Sequence, residues 1–231
     1  MGVFCIVAGP RLGGKSTLAG TLPGKTVMLQ AAVLETGSRS ALALARKLGN
    51  KLEVVQFNDL VDFRTKYEAA LKSDCDSIYI DGYAAINDLR WAGADIQAAF
   101  KKNNFEAFGK HGDEMTKLCL YIKAGVSAKN IFLTCAMKLK QDKEKDEQDV
   151  VCEVNGKIAA TSLTKLGECV VSVMMVQTES GPRRVMVTKT MDKWPGRVDG
   201  VLDDDNPGVC VPDLSIVLRM VDGTYVKGVA A

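Results

Sequence analysis

The strongest constraint on this chain is a glycine-rich turn that directly follows a short apolar run. Residues 3–8 are apolar and predict a buried strand, and residues 9–16 read GPRLGGKS. This octapeptide matches the Walker A pattern G-x-x-x-x-G-K-[ST], in which main-chain N–H groups wrap a polyphosphate. The segment KSTLAGTL that follows predicts a helix whose N-terminus faces the anion. A chance match in a glycine-rich turn is the alternative, and the flanking strand and helix argue against it.

The chemistry of this turn indicates the phosphates of ATP or a close relative, together with Mg²⁺, as its ligands. Lys15 would reach the β- and γ-phosphates, and Ser16 would supply a hydroxyl oxygen to the metal. Glycine is needed wherever a Cβ would clash with the approaching phosphates. The predicted nucleotide-binding set comprises Gly9, Pro10, Arg11, Leu12, Gly13, Gly14, Lys15, Ser16 and Thr17.

A second motif is the apolar run SIYID, at Ser77–Asp81, which ends in an acid. Asp81 would lie at the carboxyl end of a strand next to the phosphate loop, where it can hold Mg²⁺ directly or through water. An ordinary Asp-Gly turn is the alternative. Because Gly82 follows, a hydrolase would need its water-orienting acid elsewhere. Glu35 is our candidate, with Gln30 a weaker one and a solvent-facing Glu35 the alternative.

Short apolar runs alternate with helical patterns over the first 135 residues. Strands are predicted at 3–8, 26–30, 52–57, Ser77–Asp81 and 130–135, and helices at 15–22, Ser38–Leu48, from a cap at Asn58 or Asp59, and at 105–124. Strands separated by helices need crossover connections. We therefore expect a mainly parallel sheet with helices on both faces.

The last third of the chain predicts a different, β-rich organisation. The polar run 138–149 predicts a mobile surface loop, because it cannot bury a face. Strands are expected at 150–154, 169–176 and 183–190, with a turn at 179–182, a loop at 192–208 and a closing helix at 212–220. We expect a single domain over residues 1–231, with 191–231 as its C-terminal loop and closing segment.

Composition narrows the class of protein. Apolar residues make up 47% of the chain and the net charge is +2, so neither disorder nor bulk electrostatic binding to nucleic acid is indicated. The seven cysteines lack a C-x-x-C pair and are expected as buried free thiols, and His111 is expected to face solvent. The start MGVFCIVAGP does not match a signal peptide, and no apolar stretch is long enough to cross a bilayer. We expect a cytoplasmic protein with no membrane contact.

The order of these motifs is similar to that of a known family. GPRLGGKS, VMLQ…LETG, SIYIDGYAAI, NIFLTCAMK, a polar loop, a β-hairpin and KTMDKWPGR follow one another between about residues 3 and 200. This order resembles the RecA-like core ATPases of bacteriophages, including single-strand-annealing recombination proteins. The resemblance implies an α/β fold with a RecA-like P-loop NTPase core. Such a core has a mainly parallel twisted sheet, helices on both faces and a C-terminal antiparallel β-hairpin.

The resemblance also implies roles for individual residues. Asp81 would be the magnesium-side acid, Glu35 the catalytic glutamate and Thr134 a γ-phosphate-sensing residue. Lys193 and Arg197 would be basic fingers that reach the nucleotide of a neighbouring subunit. Two departures from the family leave alternatives open: Thr134 is followed by Cys-Ala, and the spacing K-x-x-x-R also admits Lys189 as the finger. Plain surface charge is the alternative for the two fingers.

The implied activity is ATP hydrolysis coupled to single-stranded DNA in phage recombination or replication, in the host cytoplasm. The implied partners are ATP, single-stranded DNA, further copies of the chain in a ring or short assembly, and a single-strand-binding protein. The run 138–149 mixes lysines with acids and has no aromatic residue, which predicts modest counterion release and no base stacking. Two alternatives stay open: a small-molecule P-loop kinase, although no arginine lies between Arg90 and Arg183 to form a lid, and a non-catalytic ATP-binding switch.

Overall fold

Ten strands form a mixed sheet, and its centre consists of the apolar runs found in the sequence. The computed structural model describes residues 2–32, 37–142, 147–155, 163, 167–191, 194–199, 201–202 and 204–226. The strands are β1 (Phe4–Gly9), β2 (Lys25–Ala31), β3 (Lys51–Phe57), β4 (Ser77–Asp81), β5 (Asn130–Asp142), β6 (Glu147–Cys152), β7 (Cys169–Thr178), β8 (Gly181–Val187), β9 (Arg197–Val198) and β10 (Val209–Cys210). Residues of β1 and β4 are buried throughout, as expected for strands covered on both faces.

The strand order is β10-β8-β7-β1-β5-β4-β2-β3, with β6 paired to β5 and β9 paired to β7. The six strands from β7 to β3 are parallel to one another, and the pairs β7–β8, β8–β10, β5–β6 and β7–β9 are antiparallel. The predicted mainly parallel sheet with a C-terminal antiparallel hairpin is confirmed. One detail differs from the expectation, because β5 lies between β1 and β4, so that the strand ending in Asp81 is not the immediate neighbour of β1.

Helices cover both faces of this sheet, as predicted. The described helices are α1 (Ser38–Leu48), α2 (Leu60–Lys72), α3 (Tyr83–Trp91), α4 (Ala94–Lys102), α5 (Asn104–Ala124) and α6 (Leu214–Val221). One core cluster contains Ile6, with side chains of α2, α3 and α5. The other contains Val7, with side chains of α1 and α6. Neighbouring residues of one strand point to opposite faces, so the two clusters lie on opposite sides of the sheet.

Local signals fixed several helix ends. The N-terminus of α2 is capped by Asp59, whose carboxylate accepts hydrogen bonds from the main-chain N–H groups of Val61 and Asp62. The closing helix α6 begins later than predicted, because the side chain of Asp213 rather than Pro212 caps it. The segment after the phosphate loop, Ser16–Thr21, is a 3₁₀ helix instead of the predicted regular helix.

The polar run 138–149 is not a loop over most of its length, so this prediction is wrong. Strand β5 continues to Asp142, and β6 pairs with it from Glu147 to Cys152. A polar segment can form a hairpin without burying a face, because cross-strand hydrogen bonds satisfy its main chain. Residues 143–146, at the turn, lie outside the described part of the chain.

Two expectations about single side chains are also wrong. Cys135 and Cys152 are not free thiols but form a disulfide between β5 and β6, since the continuation of β5 brings β6 alongside Cys135. His111 does not face solvent: it is fully buried in α5, where its Nε2 lies 2.9 Å from the Nδ2 of Asn87, and its ring meets Trp91 edge to face. None of the helices in the described part of the chain has the length and apolar character that a membrane crossing requires.

Candidate nucleotide-binding site

The phosphate loop leaves β1 through backbone conformations that favour glycine. Gly9 has a φ of +147°, and a Cβ placed there would lie 2.3 Å from the carbonyl oxygen of Val173 on β7. Gly14 has a φ of +88°. Leu12, with a φ of +59°, is the one non-glycine residue with positive φ among those described, and 99% of its surface is exposed. The loop is therefore held in a strained, open turn whose main chain faces a cavity.

Lys15 folds its side chain back across this loop. Its Nζ donates hydrogen bonds to the carbonyl oxygens of Pro10, at 2.7 Å, and of Gly9, at 3.1 Å. The ammonium group is thus held on the concave side of the turn by the loop's own main chain. A polyphosphate in the turn would meet one positive charge as well as the main-chain N–H groups.

Asp81 is the centre of the site. It is 2% exposed, and its Oδ1 accepts hydrogen bonds from the hydroxyl of Ser16 at 3.0 Å and that of Thr134 at 3.1 Å. Its Oδ2 accepts a bond from the Nε2 of Gln30 at 3.3 Å. Burial raises the pKa of Asp81, and these three hydrogen bonds and the charge of Lys15 act in the opposite direction.

The parallel sheet brings these groups together. Gln30 pairs with Asp81 across β2 and β4, and Ile80 pairs with Leu133 across β4 and β5, so the three strands end at one edge. Gly82, with a φ of +98°, then turns the chain into α3, and its N–H donates to the hydroxyl of Thr134 at 2.6 Å. Thr134 therefore joins the acid to the strand that separates it from β1.

The cavity in front of the loop has a volume of about 730 Å³. This is large enough for a nucleotide. The hydroxyl of Ser16 and the carboxylate of Asp81 are the oxygen donors that Mg²⁺ prefers, and they lie within hydrogen-bond distance of each other. The geometry and donor set fit a magnesium–nucleotide complex.

Most of the predicted site residues are brought to this cavity, which is lined by Arg11, Leu12, Gly13, Gly14, Lys15, Ser16, Thr17, Asp81 and Thr134. Gly9 and Pro10 belong to the same turn and supply the carbonyl groups that hold Lys15. Glu35 and Lys193 lie outside the described residues, so their roles stay predictions.

Arg197 lies away from the cavity of its own chain. On β9 it pairs with Val170, which in turn pairs with Ile6 in the middle of β1, well before the phosphate loop begins. Its guanidinium forms an ion pair with Asp199 at 3.0 Å and donates to the carbonyl of Gly167. A role towards the nucleotide of a neighbouring subunit stays a prediction.

Two charged residues at the cavity were missed from the sequence. Asp88, on α3, lines the cavity and accepts a hydrogen bond from the Nδ2 of Asn155 at 3.0 Å. Burial raises its pKa, and the charge of Arg11 opposes this shift. Arg184, on β8, also lines the cavity. No local pattern pointed to Asp88, because the turn at Gly82 separates its helix from the strand that ends in Asp81, and no local pattern relates β8 to the loop.

The phosphate loop is also tied to the β5–β6 hairpin. The Nε of Arg11 lies 2.8 Å from a carboxylate oxygen of Glu153, the residue after β6. The other oxygen of Glu153 lies 3.9 Å from the Nζ of Lys138 on β5. One carboxylate thus bridges the loop and the strand that carries Thr134.

The strand order, the loop and the buried acid define a RecA-like P-loop nucleotide-binding fold. A family model described as "AAA domain" matches residues 1–198, and the chain belongs to this AAA-domain family of P-loop ATPases. Among solved structures, a KaiC-like protein from the hyperthermophilic archaeon Pyrococcus horikoshii OT3 is similar, with 14% identity, a TM-score of 0.46 and coverage of 84% of this chain and 81% of that one. A search of curated proteins gave no match.

The burial of Asp81 yields a prediction for the nucleotide-free protein. We expect Asp81→Asn to raise the free energy of unfolding at pH 7, by about 1.4 kcal/mol for each unit by which folding raises the pKa. The buried Oε1 of Gln30 has no partner among the described residues and can accept from the new amide after a side-chain flip. Urea unfolding would measure the change.

The pH dependence gives the sign of this effect. Folding raises the pKa of Asp81, so above the folded-state pKa the charged carboxylate lowers the free energy of unfolding by its full amount. This destabilisation disappears as the pH falls below about 3.9, where the carboxyl group is protonated in both states. The advantage of Asp81→Asn should vanish over the same interval. Asp113→Asn, at an exposed position of α5, is the matched control and should have little effect. Equal or lower stability of Asp81→Asn at pH 7 would contradict the prediction.

Proposed function

We propose that this protein binds ATP with Mg²⁺ and hydrolyses it. The observation that carries the proposal is the contact between Ser16 and the buried Asp81 beside a glycine-rich turn that faces a nucleotide-sized cavity. Membership of the AAA-domain family of P-loop ATPases supports the same activity. The choice of ATP as the nucleotide and the hydrolytic step belong to the proposal.

Each residue of the site has a distinct role in this proposal. The loop amides and Lys15 bind the polyphosphate, and Ser16 and Asp81 would hold Mg²⁺, which neutralises charge on the β- and γ-phosphates. Thr134, which donates to Asp81 and accepts from Gly82, would sense whether the terminal phosphate is present. Glu35 would orient the attacking water.

We extend the proposal to single-stranded DNA as the partner that stimulates turnover, in phage recombination or replication. The motif order described above supports it. So does the hairpin formed by β5 and β6, because it continues the strand that carries Thr134 and contacts the phosphate loop through Glu153. Lys138 on this hairpin is exposed and could meet a DNA phosphate. A ring or short homo-oligomer, with Lys193 or Arg197 as the finger in trans, and a single-strand-binding protein as partner complete the proposal.

Lys15→Ala tests the assignment of the phosphate loop. Loss of the ammonium group should lower the affinity for ATP–Mg²⁺ by about 100-fold or more, because a charge-assisted contact to phosphate is lost. The fold should be retained, since Lys15 is only partly buried and belongs to the loop rather than to the core. Isothermal titration calorimetry would measure the affinity, with Lys47→Ala on the exposed end of α1 as the control. Unchanged affinity of Lys15→Ala would contradict the assignment of the loop.

A further prediction concerns DNA. ATP turnover by the wild-type chain should rise when single-stranded DNA is added, and the DNA should be retarded in a gel. Both responses should weaken at higher salt, because phosphate contacts release counterions. Double-stranded DNA of the same sequence is the control. If saturating single-stranded DNA changes neither turnover nor mobility, the DNA part of the proposal is wrong while nucleotide binding stands.

Another prediction assigns the water-orienting acid. Glu35→Ala should lower ATP turnover by about 100- to 10,000-fold, the range measured for loss of a general base, with little change in ATP affinity. Steady-state kinetics and calorimetry would separate the two effects. Asp88→Asn is the comparison, because Asp88 is the other carboxylate, apart from Asp81, among the described residues that line the cavity. Full turnover by Glu35→Ala together with a large loss in Asp88→Asn would transfer the role to Asp88.

The non-catalytic alternative has its own signature in these measurements. Tight ATP binding by the wild-type chain without measurable turnover, with or without DNA, would favour a binding switch. Transfer of the phosphoryl group to a nucleoside or metabolite would favour the kinase alternative.

A further inference from the structure

Arg184 holds its guanidinium against the phosphate loop of its own chain. A Cβ built on Gly14 would lie 2.6 Å from the Cζ of Arg184, 2.7 Å from its Nη1 and 2.8 Å from its Nε. The guanidinium therefore occupies the space that any other side chain would need at position 14. Gly14 precedes Lys15, so the two cationic groups approach the loop at neighbouring positions.

The β7–β8 hairpin explains how a residue so distant in sequence reaches the loop. β7 runs parallel to β1 as far as the pair Ala8–Ser172 and then continues beyond the end of β1. β8 returns antiparallel to it, with Arg184 opposite Met175. The hairpin thus stands beside the carboxyl edge of the sheet, where parallel α/β sheets bind their ligands.

The charge around Arg184 favours an anion. Its side chain is exposed, and within the described part of the chain it makes no hydrogen bond or ion pair. The cavity is lined by the cations Arg11, Lys15 and Arg184 and by the acids Asp81 and Asp88. Arg11 is paired with Glu153 and Asp81 accepts from Ser16, Gln30 and Thr134, whereas Arg184 presents its donors to the cavity. A planar guanidinium can donate two parallel hydrogen bonds to two oxygens of one phosphate.

We propose that Arg184 binds the polyphosphate of the nucleotide held by its own subunit. This inference rests on the proposed ATP-binding function and adds a residue that contacts the substrate in cis. It differs from the role predicted for Lys193 and Arg197, which would reach a neighbouring subunit. In this arrangement the β7–β8 hairpin forms one wall of the phosphate site.

The test compares two adjacent arginines. Arg184→Gln should weaken binding of a non-hydrolysable ATP analogue with Mg²⁺ by about tenfold to a hundredfold, as expected for loss of a charge-assisted contact. Arg183→Gln is the matched control, since it is also exposed and successive strand residues point to opposite faces. It should change the affinity less than about twofold. Arg184→Lys should recover part of the loss, because it restores the charge without the planar fork.

Calorimetry on the 231-residue chain separates the outcomes, and the thermal unfolding midpoint of each variant checks the fold. If the wild-type chain binds the analogue and Arg184→Gln binds it equally well, the inference about Arg184 is overturned and the proposed function stands. If the wild-type chain does not bind, both are overturned.

Mixing Arg184→Gln chains with Lys15→Ala chains tests whether Arg184 contacts the nucleotide of its own subunit or that of a neighbouring subunit. Arg184→Gln chains retain Lys15, and Lys15→Ala chains retain Arg184. If Arg184 acts in cis, ATP turnover of the mixture should equal the sum of the separate activities. Turnover that rises above this sum would show that one chain supplies Arg184 to the nucleotide of another, which would overturn the assignment to its own subunit.

Discussion

The hydrogen bond between Ser16 and Asp81 is the contact on which the candidate site depends, and it requires the whole central sheet to be in place. Ser16 follows the loop that leaves β1, whereas Asp81 ends β4, and these two strands are not neighbours because β5 lies between them. Thr134, on that intervening strand, donates to the same carboxylate oxygen as Ser16. Strand order therefore decides whether the hydroxyl of Ser16, the carboxylate of Asp81 and the hydroxyl of Thr134 meet. The arrangement has a cost, since the carboxylate is buried and its charged form is disfavoured until a cation or hydrogen-bond donors compensate.

Much of this arrangement could be predicted from local patterns. The bounds of β4 and α1 agree with the prediction, because each has a short-range signal: an apolar run before Asp-Gly, and helical spacing ended by Gly49 with a φ of +75°. The phosphate loop and Asp81 were found because their chemistry fixes residue types at fixed spacing. Thr134 was identified only through the resemblance to RecA-like ATPases, since a threonine at the end of a strand has no distinctive sequence pattern of its own.

Three features that were mispredicted or missed depend on contacts between distant parts of the chain. The run 138–149 has no apolar face, and its two ends form strands only because β5 pairs with β6. His111 lies in a polar stretch, yet the packing of α5 on α3 buries it beside Asn87. Arg184 is one of several cations in the sequence, and only the continuation of β7 past β1 brings it to Gly14. Local propensity carries no information about such pairings.

The phosphate loop contacts two antiparallel hairpins, β7–β8 and β5–β6, which extend from the parallel part of the sheet. The β7–β8 hairpin brings Arg184 to Gly14, and the β5–β6 hairpin brings Glu153 to Arg11. The ion pair is a surface contact and contributes little to stability by itself, because solvent screens it. Its importance is positional, since an anion bound in the loop would compete with Glu153 for the charge of Arg11. A ligand of the β5–β6 hairpin that alters this ion pair would therefore change the affinity for nucleotide. Thermodynamic linkage is reciprocal, so bound nucleotide would change the affinity for that ligand by the same free energy. Arg11 is therefore the residue through which the hairpin and the cavity would influence each other, whichever ligand the hairpin binds.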